Sequence, residues 1–386
     1  MWPKPEIPPL PKPKPLKLWN WLSLIVLIYA GVLFMTVFML PESLQTQTTM
    51  IGFFLIQLVI TLAIIGICFG IRLMVYGYAE EKQKRWAQQE KAFHQHWQDW
   101  SMQSLVVLKS FLMTPSQFSV DALIDEESDI DNLSHKAMLF ENVDDTLYLP
   151  FFEEIAFSLH DRVSSLPIDT ALTVLIQGRE IRDPLLEENL LSSFTLVNLP
   201  WQVTFKYLKA EPETPVIIDR LIDKQDNTLY LLVTDQANNQ DSTAFISALL
   251  LRHQTPESIA SESHIRRTMQ TTPEKLNLAT SQMQEMQPAF SETKVVWLGY
   301  MAEYYDTEPE ITQLLAMMLG PSTFPDIYRL ASCIGLLNHD LSYEAQLVLA
   351  SKLAKKTQQT QLVVASVLNK LIFTVISPTL NDDISE

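Results

Sequence analysis

Two apolar runs dominate the pattern of the chain. Residues 19–40 (WNWLSLIVLIYAGVLFMTVFML) and 51–71 (IGFFLIQLVITLAIIGICFGI) contain no charged side chain. Each run has about twenty residues, which at the helical rise spans a hydrocarbon layer of roughly 30 Å. The pattern predicts a transmembrane helical hairpin over 19–71. The first run is not expected to be a cleaved signal, because the small residues of a cleavage site are missing before Pro41-Glu42 and a second span follows at once. Lys4, Lys12, Lys14 and Lys17 precede the hairpin, and Arg72, Lys82, Lys84 and Arg85 follow it, whereas the loop PESLQTQTTM has no Lys or Arg. The positive-inside rule therefore predicts an inner-membrane protein with both termini in the cytosol. Trp19 and Trp21 at one border and Tyr76 and Tyr78 at the other suit interfacial anchors.

Beyond the spans the apolar period changes. Trp86, Phe93, Trp97, Trp100, Ser104, Val107 and Phe111 recur at three-four spacing, which predicts one juxtamembrane helix over 72–113 with an aromatic stripe. The stripe needs a surface to cover it, either the chain's own domain or a second copy in a homo-oligomer. Thr114-Pro115 stops that helix, and residues 114–135, which include DALIDEESDIDN, read as an acidic linker.

From residue 136 to 386 strand and helix signals alternate, which predicts a cytosolic, layered α/β domain. Expected strands are 136–140, 171–176, 203–207, 229–234, 243–250, 295–298, 361–366 and 372–376. Expected helices are 150–164, 183–192, 215–222, 273–286, 309–319 and 343–355. At the other end of the chain, residues 1–18 form a Pro/Lys-rich tail, with seven prolines in the first seventeen positions, so an extended polyproline-like segment is expected there. It reads either as a basic spacer near anionic lipid or as a PxxP ligand.

Charge divides along the same lines. Residues 1–91 carry a net +4 in a chain of net −17, leaving −21 beyond residue 91. So acidic a domain is a poor match for nucleic acid, whose binding rests on phosphate neutralisation. Plain solubility and a basic partner both fit. The two cysteines, Cys68 in the second span and Cys333 far along the chain, cannot pair, in keeping with a reducing cytosol.

Chemistry-bearing motifs are scarce. Four glycines, Gly178, Gly299, Gly320 and Gly335, follow residue 91, too few and too scattered for a phosphate-cradling loop. No G-x-S-x-G elbow occurs. His94 and His96 point to different helix faces at i, i+2, and His160-Asp161 reads as a helix C-terminus rather than an acid/base pair. No cofactor or metal is expected.

The order of elements in the last hundred or so residues carries a likeness. A helix (TPEKLNLATSQMQEM) leads to a strand (KVVWLG), an acidic helix (DTEPEITQLLAMMLG), the stretch ASCIGLLNHDLSYEAQLVLASKL and a final strand pair. That order resembles the C-terminal half of thiolase-like condensing enzymes, and a generic α/β domain is the alternative. The resemblance implies two similar halves, 136–255 and 270–386. It also implies a histidine after the first strand and a second histidine, preceded by glycine, before a helix. Gly299 falls at the first place, and His339, with Asn338 before it, at the second. The family's nucleophilic cysteine belongs to the N-terminal half, and residues 136–250 contain none. Cys333 lies too far along to take that role, so His339 and Cys333 are weak catalytic candidates and the resemblance implies a dead site.

As a whole the chain is similar to inner-membrane accessory proteins of bacterial type VI secretion, in particular adaptors of lipase effectors. The likeness lies in the Lys/Pro-rich start, the two close spans, the helix EEKQKRWAQQEKAFHQHWQDW and the glycine-poor acidic domain. It implies a non-catalytic adaptor that binds a secreted effector or a secretion-machine subunit. The alternative is a membrane-bound enzyme on acyl or lipid substrates with a degenerate condensing-enzyme site.

Overall fold

The computed structural model describes residues 2, 8, 10, 18–39, 50–116, 120, 133, 136–143, 145–163, 171–178, 183–199, 201–208, 214–238, 241–253, 260–299, 308–319, 325–336, 341–367 and 370–379. They form two compact units. One comprises Lys4–His96, and the other Met1–Pro3 with Trp97–Glu386.

The first unit is built on α1 (Leu18–Met39) and most of α2 (Met50–Met102). Both helices are long and apolar enough to cross a bilayer, and their side chains are largely exposed. Trp21 packs edge-on against Phe69 with ring centroids 5.2 Å apart, which ties α1 to α2. Trp19 and Tyr78 stand exposed, whereas Tyr76 is partly covered. The loop between the spans and the acidic stretch 121–132 lie outside the described residues.

The second unit corrects the long helix expected over 72–113. Helix α2 ends at Met102, and Ser104–Met113 is a strand, β1. Two arginines close the helix: Arg266 Nη1 donates to Met102 O at 2.9 Å and Arg267 Nε to Trp100 O at 2.8 Å, cations on terminal carbonyls that also suit the helix dipole. Strand β1 is covered on both faces and so reads as a near-continuous apolar run. Leu105 and Val107 enter one core and Val106 and Leu108 another. A bulge between Val107 and Lys109 then reverses the parity and sends Phe111 and Leu112 to opposite cores. The expected stripe is thereby dismantled. Trp97 and Trp100 pack on a third core, Val107 and Phe111 lie in two others, and Trp86 and Phe93 belong to the first unit.

After β1 come α3 (Asp145–Val163), β2 (Ala171–Gln177), α4 (Pro184–Leu196), β3 (Gln202–Tyr207), α5 (Thr214–Lys224), β4 (Leu229–Asp235) and β5 (Ile246–Arg252). The second half runs β6 (Ser263–Arg266), β7 (Met269–Thr271), α6 (Leu276–Met286), α7 (Pro288–Ser291), β8 (Val295–Leu298), α8 (Glu308–Leu319), β9 (Asp326–Arg329), α9 (Leu330–Ile334), α10 (Ser342–Thr357), β10 (Gln361–Val367) and β11 (Lys370–Pro378). The segment expected as a strand at 136–140 is not one. Its carbonyls accept from Leu336 N and Ala244 N, each at 2.8 Å, beside Gly335, whose φ of +114° suits glycine and whose Cβ would strike Thr243 and Lys136.

Among the described residues eleven strands join one sheet in the order β3-β2-β4-β5-β1-β6-β11-β10-β8-β9, with β7 also paired to β11. Numbered within its own half, each half reads 3-2-4-5-1, counting β6 and β7, which both pair with β11, together as the second half's first strand. In both halves the third strand is parallel to the second and the second to the fourth, while the fifth is antiparallel to its neighbours. The first strands, β1 and β6, pair antiparallel and join the halves. The repeat starts at β1, earlier than the residue 136 expected, because β1 was read as helix. Helices α5 and α10 are equivalent in the repeat and share one core with inward residues of both half-sheets. Helices α3 and α4 cover the outer face of the first half-sheet, and α6 and α8 that of the second.

Candidate functional site

The N-terminal ends of α5 and α10 meet inside this layered core. Thr214 opens α5 and is fully buried, with Pro215 pre-setting the first helical turn. Its hydroxyl does not fold back on its own helix. Oγ1 lies 2.5 Å from the side-chain amide of Gln177, the last residue of β2, and donates to Glu344 Oε1 in the first turn of α10. Gln177 and Glu344 are buried as deeply. A hydroxyl has one proton, and the two ends of a carboxamide have the same shape. With its NH2 toward Thr214, Gln177 donates to the hydroxyl and the hydroxyl to the carboxylate, so the single hydroxyl proton suffices for both contacts. A carboxylate at a helix start is further favoured by the dipole.

Two residues on, Gln346 sends its Nε2 to Trp297 O and Val364 O, each at 3.3 Å. Its carboxamide occupies the space beside Gly299 that a Cβ there would enter. The position that the condensing-enzyme likeness gives to a first histidine is thus closed by glutamine. Tyr343 is wholly buried, its hydroxyl 2.6 Å from Thr374 Oγ1, and burial pushes its phenol upward.

Of the weak catalytic candidates, His339 lies outside the described residues. Cys333 sits on α9 in the apolar core, and burial pushes its thiol up to about 12. A thiol held so high is protonated at neutral pH and a poor nucleophile. Cys333 should therefore resist iodoacetamide at pH 8 in the folded protein and label at an ordinary rate in urea. Equal rates in the two states, read by mass spectrometry, would refute its burial as the controlling factor.

No group of three metal-ligating side chains converges among the described residues. The polar cluster thus offers one carboxyl group, one hydroxyl and two amides. Among the described residues it has neither the thiolate nor the imidazoles that condensation chemistry requires. No short motif announces Thr214, Gln177, Glu344 or Gln346 in the sequence. Their one signal is the rarity of such side chains in otherwise apolar strand and helix starts.

A second buried cluster joins the end of α2 to the domain. Arg267 is 2% exposed. Its guanidinium lies 4.2 Å from the centroid of the Trp100 ring and donates to Gln103 and Asp223. Beside it, Thr268 donates from N at 3.0 Å and from Oγ1 at 2.8 Å to Asp219 on α5. Burial pushes the Asp219 carboxyl up to about 6, against those two bonds and the nearby Arg267. The folded pKa lies above the unfolded one, so the stabilising contribution is complete below about pH 4 and is lost as pH rises through 6. The predicted swing is on the order of 3 kcal/mol. The melting temperature of wild type relative to Asp219→Asn should fall between pH 4 and 6.5, and a flat difference would contradict the assignment.

Comparison with known proteins gives the fold a class. The chain is similar to a Streptomyces albus oxazolomycin ketosynthase domain at 10% identity and TM-score 0.50, over 71% of this chain and 95% of that one. A type II polyketide acyl-carrier protein in complex with its ketosynthase matches at 10% identity and TM-score 0.47, over 72% and 99%. The 3-oxoacyl-acyl-carrier-protein synthase III of Aquifex aeolicus matches at 12% and 0.43, over 71% and 99%. The fold is thiolase-like, as the element order of the C-terminal half implied. No protein-family model matches the chain, and no curated protein sequence does.

Proposed function

We propose that this chain is a membrane-anchored, non-catalytic adaptor of a bacterial type VI secretion system. In this reading the thiolase-like domain lies at the cytosolic face of the inner membrane and binds a secreted effector or a secretion-machine subunit. The observation that carries the non-catalytic part is the buried Thr214–Gln177–Glu344 cluster between the two halves, which holds one hydroxyl, one amide and one carboxyl group, together with a first half that contains no cysteine. The two exposed apolar helices, long enough to cross a bilayer, support the anchoring. Trp2 contacts the same compact unit as Thr268, which supports an even number of membrane crossings between them. The basic flanks then favour the cytosol for both ends. Tethering raises the local concentration of the binding surface, so modest affinity suffices.

Partner capture from cross-linked membranes of a native host tests the reading. An effector or a secretion-machine subunit is the expected product, and repeated recovery of chaperones alone would sink it. Reporter fusions at residues 46 and 386 test topology independently. The fold class favours a second reading, a membrane-bound enzyme on acyl or lipid substrates. It requires that His339→Ala or Cys333→Ala abolish function while leaving the melting temperature unchanged.

A further inference from the structure

We infer that the second half of the thiolase-like domain carries a binding slot for a tryptophan-bearing peptide, and that the chain's own Trp2 is its resident ligand. Trp2 precedes the first apolar helix by fifteen residues in a tail of prolines and lysines, yet it is 7% exposed. Its indole N–H donates to Thr268 O at 2.8 Å. Its ring meets Trp100 edge-on with centroids 5.9 Å apart, and its apolar body joins the core that holds Met269, Met283 and Met286. Gln282 Nε2 donates to the backbone carbonyl of Trp2 at 3.3 Å.

Each contact reads a different part of the ligand. The Thr268 carbonyl reads the indole N–H, Trp100 the ring, and Gln282 a peptide carbonyl that a free indole lacks. The ligand class is therefore a peptide with tryptophan, not a small aromatic molecule.

The walls are braced by contacts that do not involve Trp2. Thr268 is fixed by its two bonds to Asp219, and Trp100 by the Arg267 guanidinium over its ring and the Arg267 Nε bond to its carbonyl. Ser101 Oγ donates to Met286 O at 2.7 Å and Gln98 Nε2 to Glu285 O at 3.1 Å, which pins the end of α2 to α6. A slot braced in this way needs little reorganisation when its ligand leaves or returns. The resident ligand is intramolecular, so an effective concentration on the order of millimolar keeps it docked even at weak intrinsic affinity. A competing tryptophan peptide would have to overcome that concentration, which makes Trp2 a standing competitor for the slot.

The test uses the full-length chain in detergent micelles and a fluorescein-labelled peptide of residues 1–9, MWPKPEIPP. Trp2→Ala should bind the peptide at least tenfold more tightly than wild type, whose slot is filled. Amides in residues 263–271 and 276–286 should exchange faster in Trp2→Ala and recover protection when peptide is added. The same peptide with alanine for tryptophan should bind neither protein. Trp2→Phe keeps a ring in the slot and loses the N–H donor, so it guards against a loss of fold in the alanine variant. It should bind peptide more tightly than wild type. Equal peptide binding by wild type and both variants, or equal binding of the alanine peptide, would overturn the inference.

Discussion

Thr214→Val should lower the stability of the second unit by about 3 kcal/mol, the range expected when a buried carboxylate loses its donor. Valine matches threonine in volume and shape, so no cavity accompanies the change and the loss is electrostatic. Gln177 and Glu344, residues 0% and 1% exposed, would face an isopropyl group. Thr214→Ser keeps the donor and should cost less than 1 kcal/mol, set mainly by one lost methyl group. The double variant Thr214→Val, Glu344→Leu removes both partners and should recover much of the loss, because an apolar pair replaces an orphaned carboxylate. Urea denaturation followed by tryptophan emission provides the measurement. A Thr214→Val cost below 0.5 kcal/mol would show that the hydroxyl does not hold the two central helices together.

The cluster at issue was invisible in the sequence for a definable reason. Thr214, Gln177 and Glu344 come from three elements up to 167 positions apart, and each alone is an ordinary polar residue at an element's end. The apolar helices, by contrast, were legible because each is an unbroken run of uncharged, mostly apolar residues long enough to cross a bilayer. The strands at β2, β4, β8, β10 and β11 were legible because short β-branched runs sit between turn residues. Strand β1 was missed because both its faces are buried. A run such as SLVVLKSFLM then fits a helical spacing as well as a strand, and Val107 and Phe111 continued the Trp97–Trp100 period by coincidence. Strands β6 (SHIR), β7 (MQT) and β9 (DIYR) are as short as β8 (VVWL) but lack its unbroken apolar run, so nothing marked them as strands. The duplication was legible only in element order. Its two central helices differ in length, eleven residues in α5 against sixteen in α10, and have kept no common motif.

Arg267 offers the second large effect, and it should be local. Arg267→Leu removes the cation that caps α2 at Trp100 O, covers the Trp100 ring and ties Gln103 to the turn before β7. At 2% exposure water cannot replace these bonds without opening the structure, and Trp100 O and Gln103 Oε1 each lose a donor at about 1–3 kcal/mol, so a cost of about 2–5 kcal/mol is expected. The Asp223 partner contributes little of it. Its side chain is 60% exposed, and a half-solvated pair is worth about 0–1 kcal/mol. Asp223→Asn should therefore be nearly silent where Arg267→Leu is severe. Arg267→Lys should fall between them, since an ammonium supplies charge but not the planar fork that bonds Trp100 O while stacking on its ring. Hydrogen exchange decides whether the damage is local: residues 97–103 and 263–271 should lose protection while β2 and β4 retain theirs. Uniform loss across both half-sheets would mean instead that Arg267 supports the whole fold, and that the end of α2 is part of its cooperative core.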